Sequence, residues 1–368
     1  MPLKTLFNTK LYRQFALANH SKEPHIYIVI GSTKTSTIPG ISIAGATAEL
    51  TLTTPCLDIE YLVTGKPLSM DILPVTPTGI PTPALVTRGV LNKAKIPVTI
   101  IDAGSYLTPR IPHVTLPSKH IGGRIDKETA LPEGYAEKIY REARVFGHSI
   151  TGVNNLLVLA ESIPGGTTTA LGVLIGLGYE AYGKVSSSGP ENPHKLKKSI
   201  VSKAYDRCIK KNSCSDPFRV VEEMGDPVHI ALAGLAAGVL DAGGSLVLSG
   251  GTQMASVLAL LKLSRGIDVG SDQLILVTTK WLIEDPSSDY PGLVRSVDPN
   301  VPVLYYDYDF RDSPYDGLKS YEKGFVKEGV GIGGSGYIAF AIRGLNDNAI
   351  LSGVYEEYER VAREAGLL

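Results

Sequence analysis

Apolar residues in this chain fall into short, nearly continuous β-branched runs separated by alanine- and glycine-rich stretches with helical spacing. His25 to Ile30, Val98 to Ile101, Asn155 to Leu159, Ser245 to Leu248, Gln273 to Thr278 and Val301 to Tyr306 read as strands. Their apolar character on both faces, and their alternation with helical segments, predict strands covered on both sides in a parallel sheet. The expected fold class is α/β, with a doubly wound, mostly parallel sheet, helices on both faces and a small helical lobe. Residues 26–345 are assigned to the large α/β domain, and 1–25 with 346–368 to the lobe. Helices are predicted over Glu133 to Phe146, Ala170 to Leu177, Lys195 to Lys211 and Val354 to Glu364. Between Ile38 and Pro83 seven prolines predict an ordered loop layer without long helices. Ser186 to His194 reads as a polar loop, and Asp307 to Gly336 as a turn-rich stretch.

Composition narrows the function classes. Thirty-six basic residues stand against thirty-seven acidic ones, a formal charge of −1, so no overall field favours nucleic acid or an anionic membrane. The most apolar stretch, Ile230 to Leu248, is broken by Asp241 and several glycines, and reads as a buried helix followed by a strand; no membrane span is expected. Met1 to Gln14 lacks the apolar core of a signal peptide. Three cysteines, Cys56, Cys208 and Cys214, have no histidine pair in zinc spacing, and point to a reducing, cytoplasmic compartment.

Four segments carry candidate chemistry. Glu161-Ser-Ile-Pro-Gly-Gly-Thr-Thr-Thr169 leaves a strand and opens a helix, which exposes backbone N–H groups at the positive end of the helix dipole. Thr167 to Thr169 also suit helix capping, but Gly165, Gly166 and three threonines exceed what a cap needs. The segment lacks the lysine of a Walker loop and the spacing of a dinucleotide fingerprint. In Lys327-Glu-Gly-Val-Gly-Ile-Gly-Gly-Ser-Gly336, glycines let backbone approach a ligand beside one carboxylate, Glu328. By residue type alone Glu328 reads more readily as a solvated glutamate paired with Lys327 or Lys323. Third, a small-residue helix from Met224 to Leu240 precedes a strand and the Ser249-Gly250-Gly251-Thr252 turn, a further set of N–H donors. His229 on that helix reads as a core histidine. Last, Ser186 to Pro190 with Lys195, Lys197 and Lys198 offers hydroxyls and a cation to a phosphate, or forms a solvated surface loop. Asp102 to Ser105 also ends a strand, but is too short to be specific.

Taken in order, these segments resemble the nicotinate-nucleotide:dimethylbenzimidazole phosphoribosyltransferase family, and more closely its divergent archaeal-type branch. The family's Glu-x-x-x-Gly-x-Thr-Thr loop is similar to Glu161 through Thr168. Its Gly-x-Gly-Thr-Gly stretch and lysine-bearing helix correspond in position to Val185 through Gly189 and Lys195 to Lys198, its Ala-Leu-Ala-Gly helix and turn to Ala231 through Gly251, and its terminal Glu-Gly-Thr-Gly to Glu328 through Gly331. The likeness runs from about Asn154 to Ala341.

The resemblance implies transfer of the phosphoribosyl group of nicotinate mononucleotide to a heteroaromatic base, dimethylbenzimidazole or adenine, giving an α-ribotide for the nucleotide loop of cobamides. It implies Glu328 as catalytic base. Glu161, Gly165, Gly166, Thr167, Thr168, Lys198, Ser249, Gly250, Gly251, Gly329 and Gly331 are implied to hold phosphate and ribose. The pyridinium donor arrives activated, so neither cofactor nor metal is required, and a homodimer is expected. The alternative is a non-catalytic nucleotide or phosphosugar-binding protein of the same fold.

Overall fold

Eight strands, β1 (Leu3–Phe7), β2 (Glu23–Gly31), β3 (Val98–Gly104), β4 (Val114–Thr115), β5 (Asn155–Ser162), β6 (Ser245–Ser249), β7 (Leu274–Thr279) and β8 (Val303–Tyr306), join in one sheet. The computed structural model describes residues 1–152, 155–265 and 272–368; Asn154, where the family likeness begins, lies outside the described residues. The spatial order is β1-β8-β7-β6-β5-β2-β3-β4, parallel throughout except for β1, which pairs antiparallel with β8. All six strands read from the apolar runs are present.

Two apolar cores cover the sheet, so the class is α/β with helices on both faces. On β5, Leu157 and Leu159 face one core, while Leu156, Val158 and Ala160 face the other. That alternation sends Glu161 to the first face and Ser162 to the second. The chain runs from β2 outward to β3 and β4, then returns to the other side of β2 as β5. The strand order therefore reverses between β2 and β5, and the crevice beyond their carboxyl ends is where open α/β sheets bind ligands.

Glycines set the closest helix contact. A Cβ on Gly147 would lie 2.3 Å from the Leu235 carbonyl oxygen, one on Gly234 2.4 Å from that of Tyr140, and one on Gly238 2.0 Å from that of Arg144. The Tyr135–Ile150 and Pro227–Asp241 helices thus touch backbone to backbone.

The segment from Ile38 to Pro83, expected to be loop, contains the Ala48–Thr64 helix with Pro55 inside it. A proline there forfeits a hydrogen bond and costs about 3 kcal/mol. Burial of Cys56, Leu57, Ile59, Tyr61 and Leu62 offsets it, at about 1.5–3 kcal/mol for each large aliphatic side chain. The turn-rich stretch from Asp307 holds two short helices, Asp316–Glu322 and Ile332–Tyr337. The cysteines also depart from expectation. A turn with Asn212 at φ +52° brings Cys214 back onto the end of the His194–Lys210 helix, where it forms a disulfide with Cys208; Cys56 is free and buried. No helix among the described residues is long and apolar enough to cross a membrane.

Because the Gly238 contact is backbone to backbone, Gly238→Ala is expected to destabilise the protein by about 1–3 kcal/mol. Urea denaturation checks this, and an unchanged midpoint would contradict the contact.

Candidate active site

Glu328 stands in a loop whose backbone is mostly left-handed. Val326 (φ +57°), Gly329 (φ +138°), Val330 (φ +52°) and Gly331 (φ +77°) bracket it. Positive φ at a β-branched residue is strained and persists only where its surroundings over-determine it. Here Val330 N–H donates to the Glu161 carbonyl (2.9 Å), Thr87 Oγ1 to the Val330 carbonyl (3.0 Å), and Val326 N–H to the Ser188 carbonyl (2.9 Å). Thr279 Oγ1 also holds the Lys327 carbonyl.

The fold of this loop fixes the half-buried carboxyl. Glu328 Oε2 accepts from Gly329 N–H (2.7 Å) and Oε1 from Gly333 N–H (2.8 Å). A Cβ on Gly333 would meet Oε1 at 2.6 Å, so a side chain there is excluded. Burial pushes the Glu328 carboxyl up to about 7, against these backbone donors, which pull it down. A carboxyl poised near neutrality suits proton abstraction.

Glu161 lies at the carboxyl end of β5, buried. Its Oε2 accepts from Ile163 N–H (2.9 Å) and Oε1 from Gln253 Nε2 (3.3 Å). Burial pushes this carboxyl up to about 7, with His229 pulling it down and Glu328 pushing it further up. The glycine turn follows at once: Gly165 (φ +77°) precedes the Gly166–Gly176 helix, and a Cβ on it would meet Ser36 Cα at 3.0 Å. The turn therefore touches the Lys34–Thr37 turn after β2, across the strand-order reversal. Thr167 is partly exposed; Thr168 is buried with its hydroxyl unpartnered.

The Ser249 to Thr252 turn joins the other pieces. Ser249 Oγ accepts from Gly334 N–H (2.8 Å), and Thr252 Oγ1 accepts from Ser186 N–H (3.1 Å). Gly251 faces Glu328, whose Cβ lies 3.7 Å from where a Cβ on Gly251 would stand. Gly250 instead packs on Met254.

Lysine placement differs from expectation. Lys198 is exposed, its ammonium 5.5 Å from the centre of the Tyr182 ring. Lys197 is fully buried and donates to the Ser186 carbonyl; burial, with Lys327 nearby, lowers it to about 7, while Asp285 raises it. Lys327, also buried, donates to the carbonyls of Ser187 (3.0 Å) and Gly189 (2.8 Å) and pairs with Asp285 at 3.2 Å. The pattern did carry this signal: Lys197 shares one helix stripe with Ile200, Val201, Ala204 and Cys208, all buried, while Lys198 falls off it.

Asp58 was not anticipated. It projects from the Ala48–Thr64 helix and accepts from Thr82 Oγ1 (2.6 Å) and Ser162 Oγ (3.1 Å); burial pushes it up to about 6, against those two bonds. Nothing in its sequence neighbourhood marks it, because its partners are distant in the chain. Among the described residues no group of three or more His, Cys, Asp or Glu is arranged to hold a metal ion.

No family model matches the chain. It is 47% identical over 334 residues to a UPF0284 protein of Aeropyrum pernix, covering 91% of this chain and 92% of that one. A UPF0284 protein of Pyrobaculum calidifontis is also 47% identical, over 343 residues, covering 93% and 97%. Among solved structures, the fold is similar to nicotinate-nucleotide-dimethylbenzimidazole phosphoribosyltransferase from Thermus thermophilus, with TM-score 0.60 and 15% identity over 99% of this chain and 92% of that one. A structure of CobT from the same organism gives TM-score 0.58 and 15% identity, covering 93% of each chain. This chain therefore belongs to the UPF0284 family of archaeal proteins, and its fold is that of the nicotinate-nucleotide:dimethylbenzimidazole phosphoribosyltransferases.

Proposed function

We propose that this protein transfers the phosphoribosyl group of nicotinate mononucleotide to a lower-ligand base, dimethylbenzimidazole or adenine, yielding an α-ribotide for cobamide nucleotide-loop assembly. The observation that carries the reading is the Glu328 carboxyl, held near neutrality in a glycine-lined mouth between Gly251 and Gly333. The fold shared with phosphoribosyltransferases of that type supports it.

In the reaction a ring nitrogen of the acceptor base attacks the anomeric carbon of the donor. The C–N bond to nicotinate breaks, and its electron pair returns to the pyridine nitrogen, which needs no proton to leave. The attacking ring's N–H proton passes to Glu328. Inversion at the anomeric carbon gives the α product. Glu161 faces the ribose, where positive charge develops as the bond breaks. The Gly165–Gly166 turn and the serine loop gripped by Lys197 and Lys327 receive the phosphate, by backbone N–H groups and hydroxyls.

The direct test incubates pure protein with nicotinate mononucleotide and a panel of bases, reading nicotinate and ribotide by mass spectrometry. Absence of nicotinate release with every base would favour the non-catalytic nucleotide-binding alternative. Given turnover, Glu328→Gln is expected to retain binding of nicotinate mononucleotide and to lower kcat by about 10²- to 10⁴-fold. Since the base works ionised and its carboxyl is pushed up to about 7, kcat/KM should fall as pH drops below about 7. A pH profile flat between 5 and 8 would remove Glu328 from the rate-limiting proton transfer. Lys197→Met should raise the KM for nicotinate mononucleotide about tenfold or more, the worth of a charged hydrogen bond. Lys198→Met should leave it near the parent value, and the reverse ranking would return the phosphate to Lys198.

A further inference from the structure

Lys327, the residue before Glu328, is buried, and its ammonium reaches the serine loop, donating to the carbonyls of Ser187 (3.0 Å) and Gly189 (2.8 Å). Val326 N–H takes the carbonyl between them, that of Ser188 (2.9 Å), and Lys197 takes that of Ser186. The four successive carbonyls of the loop are thus turned onto donors from other segments. Of its amides, Ser186 N–H donates to Thr252 Oγ1 (3.1 Å) and Gly189 N–H to Ser187 Oγ (3.4 Å), whereas those of Ser187 and Ser188 donate to nothing among the described residues. Adjacent amides left free in a loop whose carbonyls are engaged suit an anion.

The same bonds support Glu328. On its C-terminal side, Val330 is fixed to β5 through the Glu161 carbonyl and to the Pro83–Ala94 helix through Thr87. On its N-terminal side, Thr279 Oγ1 holds the Lys327 carbonyl, and the remaining hold comes from the serine loop and Asp285. Asp285 Oδ2 pairs with the Lys327 ammonium at 3.2 Å, while its Oδ1 accepts from Ser287 N–H (3.0 Å) and hydroxyl (2.7 Å). Asn192 Nδ2 closes the circle, donating to the Val185 carbonyl (2.8 Å) and to Ser287 Oγ (3.2 Å). One side of Glu328 is therefore anchored on sheet and helix, the other largely on a loop built to hold an anion. Val326 stands at φ +57°, a strained form that lasts only while its surroundings impose it. A shift of the serine loop loosens the Ser187, Ser188 and Gly189 contacts together, and Glu328 is next in the chain.

We propose that Lys327 is a positioning residue that couples the two loops: an anion bound by the serine loop fixes that loop and, through Lys327, fixes the Glu328 carboxylate for proton transfer. The donor's phosphate is then an activator of the chemistry as well as a handle. The gain in proton transfer rests on the function proposed above; the link between the two loops does not. Lys197 differs, since its hydrogen bond goes to the serine loop alone. Binding energy from a remote part of a substrate raises turnover only where it is transmitted to the reacting centre, and Lys327 is the transmitting contact.

Hydrogen exchange read by mass spectrometry checks the coupling without any turnover. Saturating inorganic phosphate should slow exchange in parent peptides covering 185–192 and 326–336. In Lys327→Met, at phosphate saturating for that variant, the slowing should persist in 185–192 and vanish from 326–336. Lys327→Gln, which keeps a donor for one carbonyl only, should lose much of it, and carries the comparison should the methionine variant fail to fold. A purely structural Lys327 would speed exchange with and without phosphate alike and leave the phosphate-dependent difference intact, which overturns the coupling. No slowing in 185–192 of the parent overturns the serine loop as an anion site, and the coupling with it. Slowing there that does not extend to 326–336, or extends equally in the variants, overturns the coupling alone.

Nicotinate riboside, the donor without its phosphate, reads the chemical consequence. Added phosphite should raise its turnover about tenfold or more in the parent, and scarcely at all in Lys327→Met. With the intact donor, Lys327→Met should lower kcat about 10- to 100-fold with a smaller change in KM, the converse of the split expected for Lys197→Met. Phosphite without effect on the parent, or a Lys327→Met that alters KM alone, overturns the activating role. Coupled protection in a chain that releases no nicotinate from nicotinate mononucleotide keeps the link between the loops and overturns the phosphoribosyl-transfer reading.

Discussion

Carboxyl groups withheld from water govern the arrangement at the carboxyl edge of this sheet. Asp58, Glu161 and Glu328 are each pushed toward neutrality by burial, and each is kept in place by hydrogen bonds that favour the ionised form. An unpaired buried carboxylate is costly, so the surrounding backbone must supply donors at close range. Glycines make that possible: Gly329 and Gly333 give their N–H groups to Glu328, and a side chain on Gly333 would occupy the space of the acceptor. The left-handed run from Val326 to Gly331 is the backbone form that aims those donors inward. Its strain is held by the strand end of β5 and by Thr87 and Ser188, which is why the loop, although irregular, is fixed to the sheet.

Opposite charge lies on the far side of the same mouth. Lys327 pairs with the carboxylate of Asp285, which also raises Lys197 electrostatically, and the two buried lysines donate to the carbonyls of Ser186, Ser187 and Gly189. With the loop carbonyls so engaged, excess positive charge stands behind a row of serine hydroxyls, while the acidic groups stand behind glycine amides. A ligand that carries an anion at one end and develops positive charge at the other matches this polarity. A phosphoribosyl donor in the act of losing its base is such a ligand. Thr252 joins the two halves, holding Ser186 at one end of the turn while Gly251 faces Glu328 at the other.

How much of this was legible in the sequence depended on the range over which each feature is encoded. Continuous apolar runs marked six of the parallel strands, because burial on both faces leaves a local signature. The edge strand β1 left none, being short and paired antiparallel at the margin. The Ala48–Thr64 helix was missed because Pro55 is a local breaker, whereas the burial of Ile59 and Tyr61 that overrides it is tertiary. At the site, glycine turns and Glu328 were visible as clusters. Lys197 could have been preferred over Lys198 from its place on the apolar stripe. His229 was read as a core histidine, and burial is what the structure shows, with its Nδ1 3.0 Å from Asp226 Oδ2.

The topology explains why these pieces meet. Gly165 touches Ser36 across the β2–β5 reversal, and Gly251 meets Glu328 beyond the ends of β6 and β7. Those contacts span three strand-to-strand steps, about 14 Å at ordinary sheet spacing. Extending the contacts over β6 and β7 places the carboxyl flanked by left-handed backbone at the end farther from the glycine turn. At the β5 end the glycine turn packs against Ser36, and at the β7 end Gly333 packs against the Thr278 carbonyl, so both ends are built from close backbone approach. Between those two ends stands Glu161, at the carboxyl end of β5, hydrogen-bonded by Gln253 from the helix that follows β6.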